Sequence, residues 1–129
     1  MSALSQNSSS LTASNLKTFI GAKEFEVSRD FYVALGWRLN FEEGDLAELE
    51  LNGCRFYLQR YYQKHWCNNS MMYMNVEDAT AWHAHIQQVL SKKSFGASRT
   101  KEPTKQDFAK LVTHMWDPSG ILWHLAQLK

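Results

Sequence analysis

The chain has 129 residues, the length of one ordinary domain and enough to bury a hydrophobic core. Hydrophobic residues make up 44% and charged residues 21%, a balance that excludes an intrinsically disordered protein. The formal net charge of +1 supplies no long-range field to attract nucleic acid or an anionic membrane, so we expect neither as a partner.

The cysteines and the first residues indicate a cytoplasmic protein. Cys54 and Cys67 have neither CxxC nor zinc-type spacing, and isolated thiols are typical of a reducing compartment. No apolar run approaches the roughly twenty residues of a membrane span. Residues 1–15 are rich in Ser and Asn and lack the features of a signal peptide, so we expect a flexible leader. One domain should then occupy residues 16–129.

The first half of that domain predicts a strand, a helix and three further strands. Phe31 and Leu35 lie four apart on one helix face, with Ser28 expected to cap the start and Gly36 to end the helix. The Asn52-Gly53 pair between alternating runs is typical of a type I′ hairpin turn. The predicted elements are residues 16–22, 26–35, 37–41, 46–51 and 54–62.

The second half predicts the same order. A strand over 71–76 precedes a helix over 77–90, in which Ala79, Trp82, Ile86 and Leu90 recur at helical spacing. We expect residues 92–110 to be an irregular polar loop with one weak edge strand. Residues 111–116 and 121–128 form a closing hairpin around Asp117-Pro118-Ser119-Gly120. The repeat suggests an internal duplication into modules 16–62 and 70–128.

Two stretches resemble a known family. FEVSRDFYVALGW (25–37), and MMYMNVEDATAW (71–82) followed by VTHMWDPSGILWHLAQ (112–127), are similar to signatures of the glyoxalase/bleomycin resistance/extradiol dioxygenase (vicinal oxygen chelate) superfamily. The bleomycin-resistance group is the most similar, and the resemblance spans roughly residues 16–128. It implies an α+β fold in which two βαβββ modules form a cupped mixed sheet with helices on the convex side.

The resemblance also locates the positions at which metal-dependent relatives carry ligands. Here these positions hold Lys17, Gln59, Met71 and His124. Of the four, His124 alone is a good ligand for Zn²⁺, Ni²⁺ or Fe²⁺, which need three or four imidazole, carboxylate or thiolate donors. We therefore expect no metal, no other cofactor and no catalytic residue.

Strand alternation extends these four positions to a whole concave face. That face is expected to carry Lys17, Phe19, Tyr57, Gln59, Tyr61, Met71, Tyr73, Asn75 and His124, together with Glu48 and Glu50 from the strand over 46–51. The opposite face is almost wholly apolar, with Ile20, Phe56, Leu58, Met72, Met74, Val76, Ile121, Trp123 and Leu125. Family position and hydrophobicity thus agree on which face is buried.

Rings beside hydrogen-bonding groups indicate a pocket for a flat or amphipathic ligand. The alternative is a face that packs on a partner chain, but Lys17, Gln59 and His124 would be costly to bury unpaired. Trp66 lies in the predicted loop between the modules. Its ring is equally suited to stacking on a ligand and to packing within the linker.

The other histidines predict no metal cluster. His83 and His85 lie two apart on a helix and are expected to be solvated. If Asp117 pairs with Gly120, His114 and His124 point to different faces, and a one-residue slip would bring them together. No local feature unites His124 with Glu48 or Glu50 as an acid-base pair.

These features favour a metal-free protein of the bleomycin-resistance type that sequesters a small molecule, an antibiotic being one candidate. The resemblance implies a homodimer in which the partner completes each cup. Resistance proteins tend to be acidic because bleomycin is cationic, so the charge of +1 leaves the ligand open. One alternative is a glyoxalase-like lyase or dioxygenase-related metalloenzyme with an atypical site around His124. Another is an interaction module whose sheet face is filled by its own side chains.

Overall fold

The computed structural model describes residues 10–129 and contains two copies of one strand-helix-strand-strand-strand unit. The first unit comprises β1 (Phe19–Gly21), α1 (Phe25–Leu35), β2 (Arg38–Glu43), β3 (Leu46–Leu51) and β4 (Cys54–Gln59). A short helix, α2 (Lys64–Asn69), leads into β5 (Met71–Asn75), α3 (Ala79–Lys92), β6 (Arg99–Gln106), β7 (Ala109–Trp116) and β8 (Leu122–Gln127). Of the predicted leader, residues 1–9 lie outside the described residues, and residues 11–15 are exposed.

Each unit builds its own four-stranded mixed sheet, and the two sheets share one topology. Sheet one has the order β1-β4-β3-β2, and sheet two the order β5-β8-β7-β6. The pairs β1-β4 and β5-β8 are parallel, and the other neighbours are antiparallel. The predicted two-module α+β fold is confirmed. In residues 10–129, no helix is long and apolar enough to cross a membrane.

One core joins both sheets to the helices. The Tyr32 ring of α1 lies 4.9 Å from that of Phe56 in sheet one and 5.8 Å from that of Trp123 in sheet two. The face predicted to be apolar is the one that supplies this core: Ile20, Phe56, Leu58, Ile121, Trp123 and Leu125 are buried, and Met72, Met74 and Val76 pack against them. We call the other face of each sheet its inner face. It is turned away from the core.

The start of α1 differs from the prediction, whereas its end agrees. Gly36 ends the helix in the left-handed conformation at φ 115°. The helix begins at Phe25, one residue before the predicted start, because burial of the Phe25 ring in the core includes this residue in the first turn. Ser28 is therefore not a cap. It is fully buried, and its Oγ lies 3.3 Å from the Oγ of Ser119, where it links α1 to the closing hairpin.

The prediction that His83 and His85 are solvated is wrong for His83, which is buried, whereas His85 is exposed. His83 is buried, with its Nδ1 3.2 Å from the Thr100 hydroxyl, and the Nε2 of His85 lies 2.8 Å from the Leu35 carbonyl oxygen. The cause is β6, which covers α3. The segment 92–110, expected to be mostly irregular, forms this eight-residue edge strand and the start of β7. Lysines along it are typical of an edge that must not pair further.

The closing hairpin has a register one residue away from the predicted one. Asp117 N donates to Ile121 O at 2.9 Å, so three residues rather than two form the tip of the turn. Gly120 at φ 93° supplies the left-handed residue that a three-residue hairpin turn requires. His114 consequently pairs with His124 and not with Trp123. Both histidines lie on the inner face of sheet two, so the prediction that they lie on different faces is wrong.

Candidate functional site

A closed charge network lies on the inner face of sheet one. Lys17 Nζ donates to Glu48 Oε1 at 2.6 Å and to the Tyr57 hydroxyl at 3.3 Å, and Asn40 Nδ2 donates to Glu48 Oε2 at 2.8 Å. Glu48 is only 5% exposed. Hydrogen bonds from Lys17 and Asn40 lower the pKa of Glu48, and the bond to Glu48 raises the pKa of Lys17. The two charges compensate each other.

Glu50 is engaged in the same way. Its Oε1 accepts from Asn40 at 2.8 Å, from Arg38 at 3.0 Å and from Arg55 at 3.1 Å. The Asn40 hydrogen bond and the nearby Arg55 and Arg38 charges lower the pKa of Glu50. Neither carboxylate is left as a free negative charge. The sequence did not predict Asn40 as a site residue. It lies at an irregularity in the pairing of β2 and β3, where its amide donates to both Glu48 and Glu50.

Aromatic rings surround this network and remain open to solvent. Tyr57 has ring neighbours in Phe19 at 4.9 Å and Phe41 at 6.2 Å. Phe19 is 55% exposed. Gln59 is half-buried beside them, at the end of β4. The predicted members Lys17, Phe19, Glu48, Tyr57 and Gln59 thus share one surface, to which Phe41 is an addition.

Two further predicted residues lie at the rim of sheet one. Tyr61 was expected on a strand but falls beyond β4, which ends at Gln59. Its ring lies 5.8 Å from that of Trp66, which stands on α2 rather than in a loop. Both rings are exposed. Together they form a separate aromatic pair where the chain passes from the first module to the second.

The inner face of sheet two carries a shallow apolar concavity of about 350 Å³. It is lined by Met71, Met72, Tyr73, Phe108 and His124. The rings of Tyr73 and Phe108 are 5.9 Å apart, and each side chain is 52% exposed. Phe108 belongs to the tip between β6 and β7, and a sequence pattern gives no sign that this tip turns toward β5. Asn75, the last predicted member, is exposed at the end of β5.

A row of basic side chains crosses the same sheet next to the concavity. His124 pairs with His114, and His114 pairs with Lys101 on the edge strand. The two imidazole rings lie 5.0 Å apart, and His124 Nδ1 is 3.3 Å from the Met72 carbonyl oxygen. In the adjacent row, the Arg99 guanidinium stacks 3.6 Å above the Trp116 ring. Burial, with the neighbouring charges of His124 and Lys101, lowers the pKa of His114.

The donor chemistry does not fit a resident metal at the positions that the family resemblance indicates. The ammonium of Lys17 is bonded to Glu48, and Gln59 and Met71 offer an amide and a thioether. His124 is the one strong donor for a borderline divalent metal among the four. In the part of the chain that the structure describes, no three or more His, Cys, Asp and Glu side chains come together to hold an ion.

Solved structures of the same fold match this chain along nearly its whole length. One is a bleomycin-binding protein from bleomycin-producing Streptomyces verticillus complexed with copper(II)-bleomycin, with a TM-score of 0.77, 16% identity and coverage of 92% of this chain and 98% of that chain. Another is a bleomycin resistance determinant encoded on the transposon Tn5, with a TM-score of 0.77, 17% identity and coverage of 91% and 99%. The chain has the bleomycin-resistance fold.

The same fold also occurs in an enzyme. A glyoxalase-related enzyme from Fulvimarina pelagi matches with a TM-score of 0.67 and 16% identity, covering 89% of this chain and 88% of that chain. The bleomycin-resistance fold therefore does not by itself separate binding from catalysis, and the site must decide. No sequence-family model matches the chain, and no curated protein matches it in sequence.

Proposed function

We propose that this protein binds a small aromatic or amphipathic molecule on its inner faces and sequesters it without a resident metal or chemical conversion. The supporting observation is the contrast between the faces of each sheet. The apolar face of each sheet packs into the core. The inner faces, in contrast, expose Phe19, Met71 and Tyr73 beside hydrogen-bonding groups. Rings supply contact area and polar neighbours fix orientation. The bleomycin-binding proteins of the same fold support a sequestering role.

We further infer a homodimer in which two chains enclose the ligand. The ring contacts on the inner faces in residues 10–129, such as Phe19 with Tyr57 and Tyr73 with Phe108, stay within one module. Phe19, Met71, Tyr73 and Phe108 are each more than half exposed, and large apolar groups clustered at a surface favour association. Sedimentation velocity tests the dimer, and a single monomeric species across the micromolar range would contradict it.

Ligand binding is tested by calorimetric titration of the untagged protein. The ligands are copper(II)-bleomycin, metal-free bleomycin and a panel of small aromatic amphiphiles. For any ligand that binds, Tyr73→Ala or Phe19→Ala should weaken affinity about tenfold or more, because anchoring rings dominate such contacts. Val33→Ala is the matched control, since Val33 is an exposed apolar residue of α1, remote from both inner faces. A bound ligand insensitive to both ring variants would place the site elsewhere.

We propose the cytoplasm as the location. Both cysteines are free, Cys54 exposed and Cys67 buried, and an exposed thiol persists most readily in a reducing compartment. Fractionation of the source cells, followed by immunodetection, tests this assignment. Recovery in a secreted or membrane fraction would contradict it.

A further inference from the structure

The two inner faces differ in how their charges are balanced. In the described residues, 10–129, every ion pair joins side chains between positions 17 and 60, all in the first module. On sheet one, Glu48 and Glu50 are neutralised by Lys17, Arg38 and Arg55. The basic side chains of sheet two form no ion pair with a carboxylate in this part of the chain.

These basic groups are gathered and partly fixed. Lys101, His114 and His124 occupy successive strands of one cross-strand row, so their side chains emerge side by side on the inner face. Stacking on Trp116 holds the Arg99 guanidinium at the next row, at 3.6 Å. Burial lowers the pKa of His114, and the nearby charges of His124 and Lys101 lower it further. A bound negative charge would offset the repulsion between these basic groups.

An apolar surface lies directly beside the row. His124 belongs both to the row and to the concavity that Tyr73, Phe108 and Met71 line. Tyr73 continues the row on β5, opposite His124. A molecule with a flat apolar part and a negative group at one end would match the rings and the basic groups together. A charge-assisted hydrogen bond from the Lys101 ammonium, with hydrogen bonds from imidazole N–H groups beside it, suits a carboxylate, phosphate or sulfate.

We propose that the inner face of sheet two binds the anionic group of an aromatic or amphipathic ligand, with Lys101, His114 and His124 around that group and the apolar part in the adjoining concavity. This assignment rests on the proposed binding function and narrows it to a class of ligand. Arg99, one row away, is placed to extend the anion site toward Trp116.

A pair of probes that differ only in charge tests the assignment. Naphthalene-2-carboxylate and naphthalene-2-carboxamide share one ring system, and each is titrated into the untagged full-length protein by calorimetry at low salt. The carboxylate should bind about tenfold more tightly than the amide, the usual contribution of one charge-assisted hydrogen bond. Lys101→Gln and His114→Gln should reduce this ratio toward one. Lys92→Gln, which removes the same charge from exposed α3, should leave the ratio unchanged.

The other outcomes distinguish failure of the anion site from failure of the proposed binding function. Equal affinities of carboxylate and amide in the unmodified protein would overturn the anion site while small-molecule binding stands. Failure of both probes to bind at millimolar concentration would contradict the anion site and count against the binding function as well. Sedimentation velocity of Lys101→Gln gives an independent check. If this variant loses its dimer, the basic row is a subunit contact and the anion site is overturned.

Discussion

Tyr32 of α1 donates a 2.6 Å hydrogen bond to Oδ2 of Asp117 in the closing hairpin, and both side chains are fully buried. Trp123 Nε1 donates to the same Tyr32 oxygen at 3.0 Å, so one hydroxyl joins the two modules. Burial, with the Asp117 charge, keeps the pKa of Tyr32 well above 10, and the hydroxyl remains a donor. This contact adds to the Ser28-Ser119 and His85-Leu35 contacts that also join the two modules.

Tyr32→Phe should lower the free energy of unfolding by about 2–3 kcal/mol, because it removes the donor to Oδ2 of the buried Asp117 carboxylate and the acceptor of the Trp123 indole N–H. The ring is kept, so core packing is unchanged. Urea unfolding followed by tryptophan fluorescence measures the effect. Phe31→Leu, a neighbouring buried ring that makes no such bond, is the packing control. A loss below about 0.5 kcal/mol would mean that the hydrogen bond has no net effect on stability.

Asp117 should make the protein less stable as the pH rises from 4 to 7. Burial raises its pKa from 3.8 to about 6 in the folded protein. The folded state therefore binds the proton more tightly than the unfolded state. The resulting stabilisation is complete below pH 3.8 and is lost as the pH rises through about 6, amounting to about 3 kcal/mol at most.

Urea unfolding of the unmodified protein and Asp117→Asn at several pH values isolates this contribution. The asparagine variant keeps the shape but does not titrate, so its stability relative to the unmodified protein should rise steadily between pH 4 and 6.5. Glutamates 26, 48 and 50, whose pKa values are lowered, lose their contribution at lower pH and cancel in the difference. A difference independent of pH would show that Asp117 does not titrate in this range.

The sequence predicts the fold well because its signals are local. The Asn52-Gly53 turn has positive φ values at both residues, 50° and 88°, and its strands pair from Leu51 and Cys54 as expected. The apolar face of each sheet is also predicted, since alternation assigns every second side chain to the core. These patterns depend on neighbours a few residues away, and the tertiary structure leaves them unchanged.

The site is predicted less completely because its contacts join distant strands. The partner of Lys17 is Glu48, 31 residues away, and Asn40 bonds both glutamates from an irregular position. The pairing of His114 with His124 depends on whether the hairpin turn holds two or three residues, which Asp117-Pro118-Ser119-Gly120 alone does not decide. Strand alternation predicts which side chains lie on the inner face. The hydrogen-bond partners of these side chains and the register of the strands depend on how the sheets assemble.

Lys17→Met should raise the pKa of Glu48, because the largest stabilising contact of its charged form is removed. Carbon-13 NMR titration of the glutamate carboxyl groups measures the change. In the unmodified protein the lowered pKa of Glu48 contributes stability that is complete above pH 4.5 and is lost as the pH falls through the pKa of the folded state. The variant should lack most of this contribution. Lys92→Met is the control for loss of one surface charge. An unchanged Glu48 pKa would mean that Asn40 alone sustains it.

Elemental analysis after exposure to Ni²⁺, Zn²⁺, Fe²⁺ and Mn²⁺, followed by desalting, should find less than about one tenth of an ion per chain, since structural and catalytic sites survive such treatment. The reason is the donor set, in which Lys17 is occupied by Glu48 and His124 is the one strong ligand. A value near one ion per chain, abolished by His124→Ala, would support the glyoxalase-like or dioxygenase-related alternative. The same value in His124→Ala would indicate a site elsewhere.

Gly21→Ala should unfold the rim of sheet one, because an added Cβ would overlap the carbonyl oxygen of Tyr61. That carbonyl cannot move away freely, since it accepts a 3.0 Å hydrogen bond from Ala22 N, and the Tyr61 ring contacts Trp66. We expect a loss of about 3 kcal/mol or more, typical of overpacking against a fixed backbone. Gly53→Ala is the matched control, because its Cβ meets open space and adds only left-handed strain of about 1–2 kcal/mol. Equal losses for the two variants in urea unfolding would show that the rim yields to the methyl group, and that the Tyr61-Trp66 pair is not held rigidly at the edge of the site.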